Sequence, residues 1–149
     1  MLILAGRFLI LLGLALWIGL SLSLWVQSRV LLRSYPKPIA QEITATLIPV
    51  LDRFLLAALV FVTTGHGILV SVLKVLPSNT ALVMLGTIGV LRLLSTFSLS
   101  TALRALRARV KESPGAEGDH RAFQRMLGTS MLLFAVEGSI AIALLFQVS

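Results

Sequence analysis

The sequence predicts an all-α fold, an integral membrane four-helix bundle, and three observations predict it. Hydrophobic residues make up 57% of the chain and charged residues only 13%, against about 25% charged in an ordinary soluble domain. Four apolar runs reach the roughly 20 residues that a helix needs to cross a bilayer. The formal charge of +7 gathers at the ends of those runs, where lipid headgroups lie, which argues for a membrane surface and against nucleic acid. Little of the 149 residues is left for a water-soluble domain, so residues 1–149 are read as one bundle. The chain has no cysteine, which excludes disulfides and thiolate metal sites.

The first predicted span covers residues 8–26, "FLILLGLALWIGLSLSLWV". Its apolar region is too long for a signal peptide, and no small-residue cleavage site follows it. Trp17 lies deep in the run and is expected between helices, whereas Trp25 suits the interfacial belt. The connection that follows contains "SYPKPIAQEITATLIP". Its prolines bracket a short amphipathic stretch, with Ile39, Ile43 and Leu47 at helical spacing, expected to lie along the interface.

The second span is residues 54–73, and "PSNT" at 77–80 reads as a tight turn into the third, residues 81–103. Arg104, Arg107 and Lys111 then recur on one face, so the third helix is expected to project into the headgroup zone and contact phospholipid. "ESPGAEGD" supplies a flexible turn before the fourth span, residues 126–148. Four of the thirteen basic residues flank the first connection (Arg29, Arg33, Lys37, Arg53) and six flank the third (Arg104, Arg107, Arg109, Lys111, Arg121, Arg125). The positive-inside rule therefore places both connections in the cytoplasm and both termini outside, in a multi-pass protein of the cell's inner membrane.

Helices in lipid associate through close backbone approach and hydrogen bonds. Small residues suited to this recur as Ala15, Gly19 and Ser23, as Thr63, Gly67 and Ser71, and at Gly86, Gly89 and Gly138. Two charges stand inside the runs. Arg92 is eleven residues from the start of its span and Glu137 eleven from the end of the antiparallel neighbour, so both reach the same depth. Unpaired, each costs roughly 2.5–3.5 kcal/mol on insertion scales. A structural ion pair between them is expected, with Ser95, Thr96 and Ser130 near enough to satisfy remaining donors and acceptors.

His66, in "TTGHGIL", sits between two glycines that leave room for a flat ring. An interhelical hydrogen bond is the favoured role, with haem or chlorophyll ligation as an alternative. His120 lies in the connection, too far in depth to act as a second axial ligand. Met84, Met126 and Met131 are split between the two ends of the bundle and make no copper site. No nucleotide loop, zinc spacing or nucleophile–base constellation occurs, so no catalytic or metal-binding residue is assigned.

Three elements resemble a family of uncharacterised four-helix bacterial membrane proteins, with distant eukaryotic relatives. They are the "WxG" of the first helix, here Trp17-Ile18-Gly19, the proline-containing "LLRSYPKPIAQEITATLIP", and "FQRMLGTSMLL", which supplies Phe123, Arg125 and Ser130. Leu127 and Phe134 stand where members often carry histidine and asparagine. A looser similarity links the architecture to copper-resistance and haem-binding four-helix proteins, whose intramembrane histidine on the first helix is missing here. The resemblance implies the fold and transfers no activity. The favoured reading is a non-enzymatic accessory or assembly subunit, with lipids and other membrane subunits as partners. A small oligomeric permease, its path lined by Arg92, Ser95, Thr96, His66 and Glu137, stays open, as does a haem- or chlorophyll-binding subunit using His66.

Overall fold

A computed structural model describes residues 1–74, 77–112 and 117–148. The helices are α1 (Leu2–Ser34), α2 (Lys37–Leu73), α3 (Asn79–Leu94), α4 (Ser100–Glu112) and α5 (Glu117–Val148), with a π-helical turn at Ser95–Leu99 joining α3 to α4. That turn makes α3 and α4 one continuous column, so four columns result, each long and apolar enough to cross a membrane.

The predicted interfacial stretch in the first connection is not a separate element. The connection shrinks to Tyr35 and Pro36, and α2 runs unbroken from Lys37 through Pro49. Pro38 falls in the first turn, where a missing N–H costs nothing. Pro49 has no N–H to give the Ala45 carbonyl, a loss that membrane helices tolerate when neighbouring helices pack around it. Ala45 and Ile48 are buried beside it. At the far end Lys74 takes a left-handed conformation (φ 52°) and its N–H closes on the Val70 carbonyl. The "PSNT" turn is shorter than predicted: Ser78 caps α3, its Oγ accepting from the Ala81 N–H at 3.2 Å, and Asn79 and Thr80 are already helical. Of "ESPGAEGD", residues 113–116 lie outside the described residues and the flanking residues are helical.

The columns form a four-cornered bundle in which α1 and α3 occupy opposite corners, with no close backbone approach between them among the described residues. The core runs through Ile10, Leu14, Trp17, Leu55, Phe134 and Leu144, all almost fully buried. Contact between α1 and α2 is the closest, and it depends on glycines at Gly13 and Gly65. A Cβ on Gly65 would stand 2.6 Å from the Gly6 carbonyl oxygen, and one on Gly13 would stand 2.8 Å from that of Ala58. The α1–α5 seam touches at Gly138 and Ser21 and beside that point opens into an apolar cleft of about 360 Å³ lined by Ile18, Leu22, Met131 and Ile142.

The small-residue stripes read from the sequence are therefore placed differently from the expectation. Gly138 does pack against a neighbour, but Gly19, Gly67 and Gly86 face open space, with nothing within 4 Å of an added Cβ. Ala15, Thr63 and Ser71 are exposed with them. These stripes lie on the outside of the bundle, and Gly6, Gly13 and Gly65 do the close packing inside it.

Candidate functional site

The site is the charged cluster at the centre. Arg92 leaves α3 toward α5, where its Nε donates to Glu137 Oε2 at 3.1 Å and its Nη2 donates to the same oxygen. The two residues paired by the depth count are thus brought together. The sequence reading missed the third member, Asp52 of α2, whose Oδ1 accepts from Arg92 Nη1. Arg92 and Glu137 are 0% exposed and Asp52 is 1% exposed, so one guanidinium ties three columns together. Phe134 and Trp17 close over it, with ring centroids 4.8 and 6.0 Å from the guanidinium carbon.

Asp52 escaped notice because it precedes the apolar run and stands next to the exposed Arg53, which makes it look like a flanking residue. Its place on the α2 face could have been found: Ile48, Asp52, Leu55 and Ala58 follow the spacing of three and four residues that buries one side of a helix.

Ser100 of α4 is hydrogen-bonded to Asp52 Oδ2, and the π-turn is what brings it there. Eight residues of regular helix would leave Ser100 about 80° around the axis from Arg92. The turn absorbs one residue, the Ser100 N–H bonding back to the Ser95 carbonyl, and returns Ser100 to within about 20° of the Arg92 face. Buried positions follow the same shift, from Ala81, Ile88, Arg92 and Ser95 before the turn to Ser100 and Leu103 after it.

The hydroxyls expected to satisfy the pair do not do so. Ser130 Oγ donates to the Met126 carbonyl of its own helix at 3.0 Å. Ser95 Oγ and Thr96 Oγ1 are buried without a hydrogen-bond partner, as are Ser21 Oγ, Trp17 Nε1 and Glu137 Oε1. The Trp17 indole lies beside the Glu137 carboxylate but does not reach hydrogen-bond geometry.

His66 is apart from this cluster. Fourteen residues of α2 separate it from Asp52, about 21 Å of helix, and its Nδ1 bonds within its own helix to the Val62 carbonyl at 2.9 Å. Gly65, on one side of it, is occupied by the contact with α1, and only Gly67 leaves open space. The room expected for a flat ring is thus halved. Among the described residues no group of three metal-ligating side chains occurs.

A second polar group forms where α2 begins and α4 ends, ahead of the apolar part of α2. Arg107 donates to Glu42 Oε1 through Nε at 2.9 Å and Nη2 at 2.6 Å, and Lys111 Nζ lies 3.1 Å from the same oxygen. The bond from Arg107 holds the Glu42 carboxyl below the usual carboxylate range, against the effect of partial burial and with help from Lys111. Arg107 and Lys111, read as headgroup contacts, thus share a protein carboxylate. Arg104 is exposed, its Nε donating to the Ser100 carbonyl at 3.2 Å.

The cluster is equipped to hold helices in register and to hold charge at mid-depth. Comparison with known protein families, curated proteins and solved structures finds no match.

Proposed function

We propose that this chain is a non-enzymatic accessory or assembly subunit of a larger complex in the cell's inner membrane, with both termini outside and the basic connections in the cytoplasm. The observation that carries the reading is the outward direction of the small-residue stripes on α1 and α2. A bundle facing only lipid has no use for bare backbone on its surface, whereas a neighbouring helix packs closely against it. Gly19 and Gly67 expose backbone in this way. Arg104, and the positive charge that Arg107 and Lys111 retain after Glu42, suit anionic headgroups at the cytoplasmic face.

Purification in mild detergent tests the proposal. A companion chain should co-purify with the natural protein and be lost in Gly19→Leu or Gly67→Leu, while the bundle itself stays folded. A protein that is always monomeric and without a companion refutes it. The permease reading has less support, because His66 stands about 21 Å along α2 from the polar groups it was to join and Arg92 is already bonded to Glu137 and Asp52. Abolished flux with an intact fold in Glu137→Gln would restore that reading. For a pigment at His66, a Soret or chlorophyll band that changes in His66→Ala is the corresponding sign.

A further inference from the structure

We propose that the cluster is a proton-binding site and that Asp52 carries the proton, as a neutral carboxylic acid bonded to Ser100. Three ionisable groups meet there: two acids and one arginine. All are almost completely removed from solvent, so with every group ionised the centre of the bundle would hold a net charge of −1. An uncompensated charge at that depth is costly. One proton on one carboxyl removes it.

None of the packed columns brings a compensating charge to the cluster among the described residues. On α1 no charged residue lies between Arg7 and Arg29. On α2 the neighbouring Arg53 is exposed and His66 is about 21 Å along the helix. On α4, Arg104 is exposed and directs its Nε to the Ser100 carbonyl. On α5 the next charge before Glu137 is Arg125, twelve residues earlier and exposed. The cluster must therefore reach neutrality from within.

Hydrogen-bond chemistry decides which acid takes the proton. Glu137 Oε2 accepts two guanidinium N–H bonds, and its Oε1 has no hydrogen-bond partner, with the Trp17 indole, a donor only, beside the carboxylate. A proton on Glu137 would be bonded to no acceptor. Asp52 Oδ1 accepts from Arg92, a bond that the carbonyl oxygen of a neutral acid can also accept. Its Oδ2 meets the Ser100 hydroxyl, and a hydroxyl oxygen accepts as readily as it donates. Asp52 Oδ2 is thus the one acid oxygen of the cluster bonded to a group able to take its hydrogen. The arrangement that satisfies these contacts is Glu137 ionised against Arg92, with Asp52 donating to Ser100 Oγ. Ser100 lies on the basic-connection side of Arg92 along its column, so the proton sits nearer that end.

Infrared spectroscopy of the full chain in detergent, at neutral pH, tests this without any companion protein. A protonated carboxyl C=O band is expected. It should move to lower frequency with carboxyl-¹³C aspartate, shift in Ser100→Ala and vanish in Asp52→Asn. The chain has only two aspartates, Asp52 and Asp119, so the label is nearly site-specific. Absence of the band overturns the proton site. A band that moves with labelled glutamate, or survives in Asp52→Asn, overturns the assignment to Asp52. Should Asp52→Asn fail to fold, the label and Ser100→Ala decide the matter alone.

Discussion

Replacing Arg92 by methionine keeps an unbranched apolar stem and removes the only cation of the cluster. Three N–H bonds are lost, two to Glu137 and one to Asp52, along with the contact between the guanidinium and the Phe134 ring at 4.8 Å. Hydrogen bonds to charged groups contribute about 1.5–3 kcal/mol each, but these three share one residue and their values do not add. Removing one partner of a buried ion pair costs about 3–5 kcal/mol, and leaving one acid unpaired at mid-bilayer costs roughly 2.5–3.5 kcal/mol. The two ranges overlap near ~3 kcal/mol, which lowers the folded-to-unfolded ratio on the order of a hundredfold. An ordinary interhelical hydrogen bond in a membrane averages only ~0.6 kcal/mol, so the two accounts are easily told apart. Equilibrium unfolding of Arg92→Met in mixed micelles, followed by tryptophan fluorescence, measures the loss, because Trp17 sits against the cluster. Adding Glu137→Leu to the variant removes the stranded charge and should recover most of the stability. A loss below ~0.6 kcal/mol, or a double variant less stable than the single, refutes the clamp.

Asp52→Asn should cost far less than Arg92→Met in the same assay, since an amide accepts from Arg92 and donates to Ser100 as the neutral acid does. Gly65→Ala should lose about 1–3 kcal/mol through overpacking against the α1 backbone, whereas Gly67→Ala, two residues on and facing open space, should stay within ~0.5 kcal/mol. Glu42 is held below its usual carboxylate range by Arg107, so its contribution is fully present above the unfolded value and fades as pH falls through the folded one. The gap in thermal stability between the natural protein and Glu42→Gln should therefore close in acid and shrink in high salt. Deleting Phe97, an exposed residue of the π-turn, should convert Ser95–Leu99 to regular helix while keeping Arg92 and Ser100 on one face. A folded, monodisperse product is expected, and aggregation of this variant would count against the register account.

The spans and the Arg92–Glu137 pair were legible because both depend on quantities that add along the chain: apolar length, and depth at 1.5 Å per residue. What escaped the sequence reading depends on rotation about a helix axis. A stripe such as Ala15, Gly19 and Ser23 marks one side of α1 but carries no sign of whether that side meets α2 or the outside. Ser100 was illegible for the same reason. A π-turn shifts every later residue by one position around the axis, and nothing in "STFSL" distinguishes such a turn from ordinary helix. Asp52 lay between these cases, since its burial follows from the spacing on α2 once that helix is known to continue through Pro49.

The two packing devices divide the bundle between them, and lipid explains why both are needed. Apolar surface gains little by moving from acyl chains to a neighbouring helix, so burial alone sets neither partner nor register. Along α1 and α2 the register is set by shape: Gly13 and Gly65 admit the opposite backbone at only one sliding position. Contacts between α2 and the α3–α4 column are sparser, and no glycine described there makes a comparable backbone approach. That seam and the one to α5 are pinned by Arg92, whose planar fork reaches Asp52 on one side and Glu137 on the other. A one-residue slip of any of the three columns would strand a charge or an unsatisfied polar group in the core, so the penalty against misregister is steep even if the net gain from the cluster is modest. Such a clamp also depends on its proton. If Asp52 loses it, the cluster gains a buried charge at the seam that has the least other packing, so α2 and the α3–α4 column should separate first when the protein is driven alkaline.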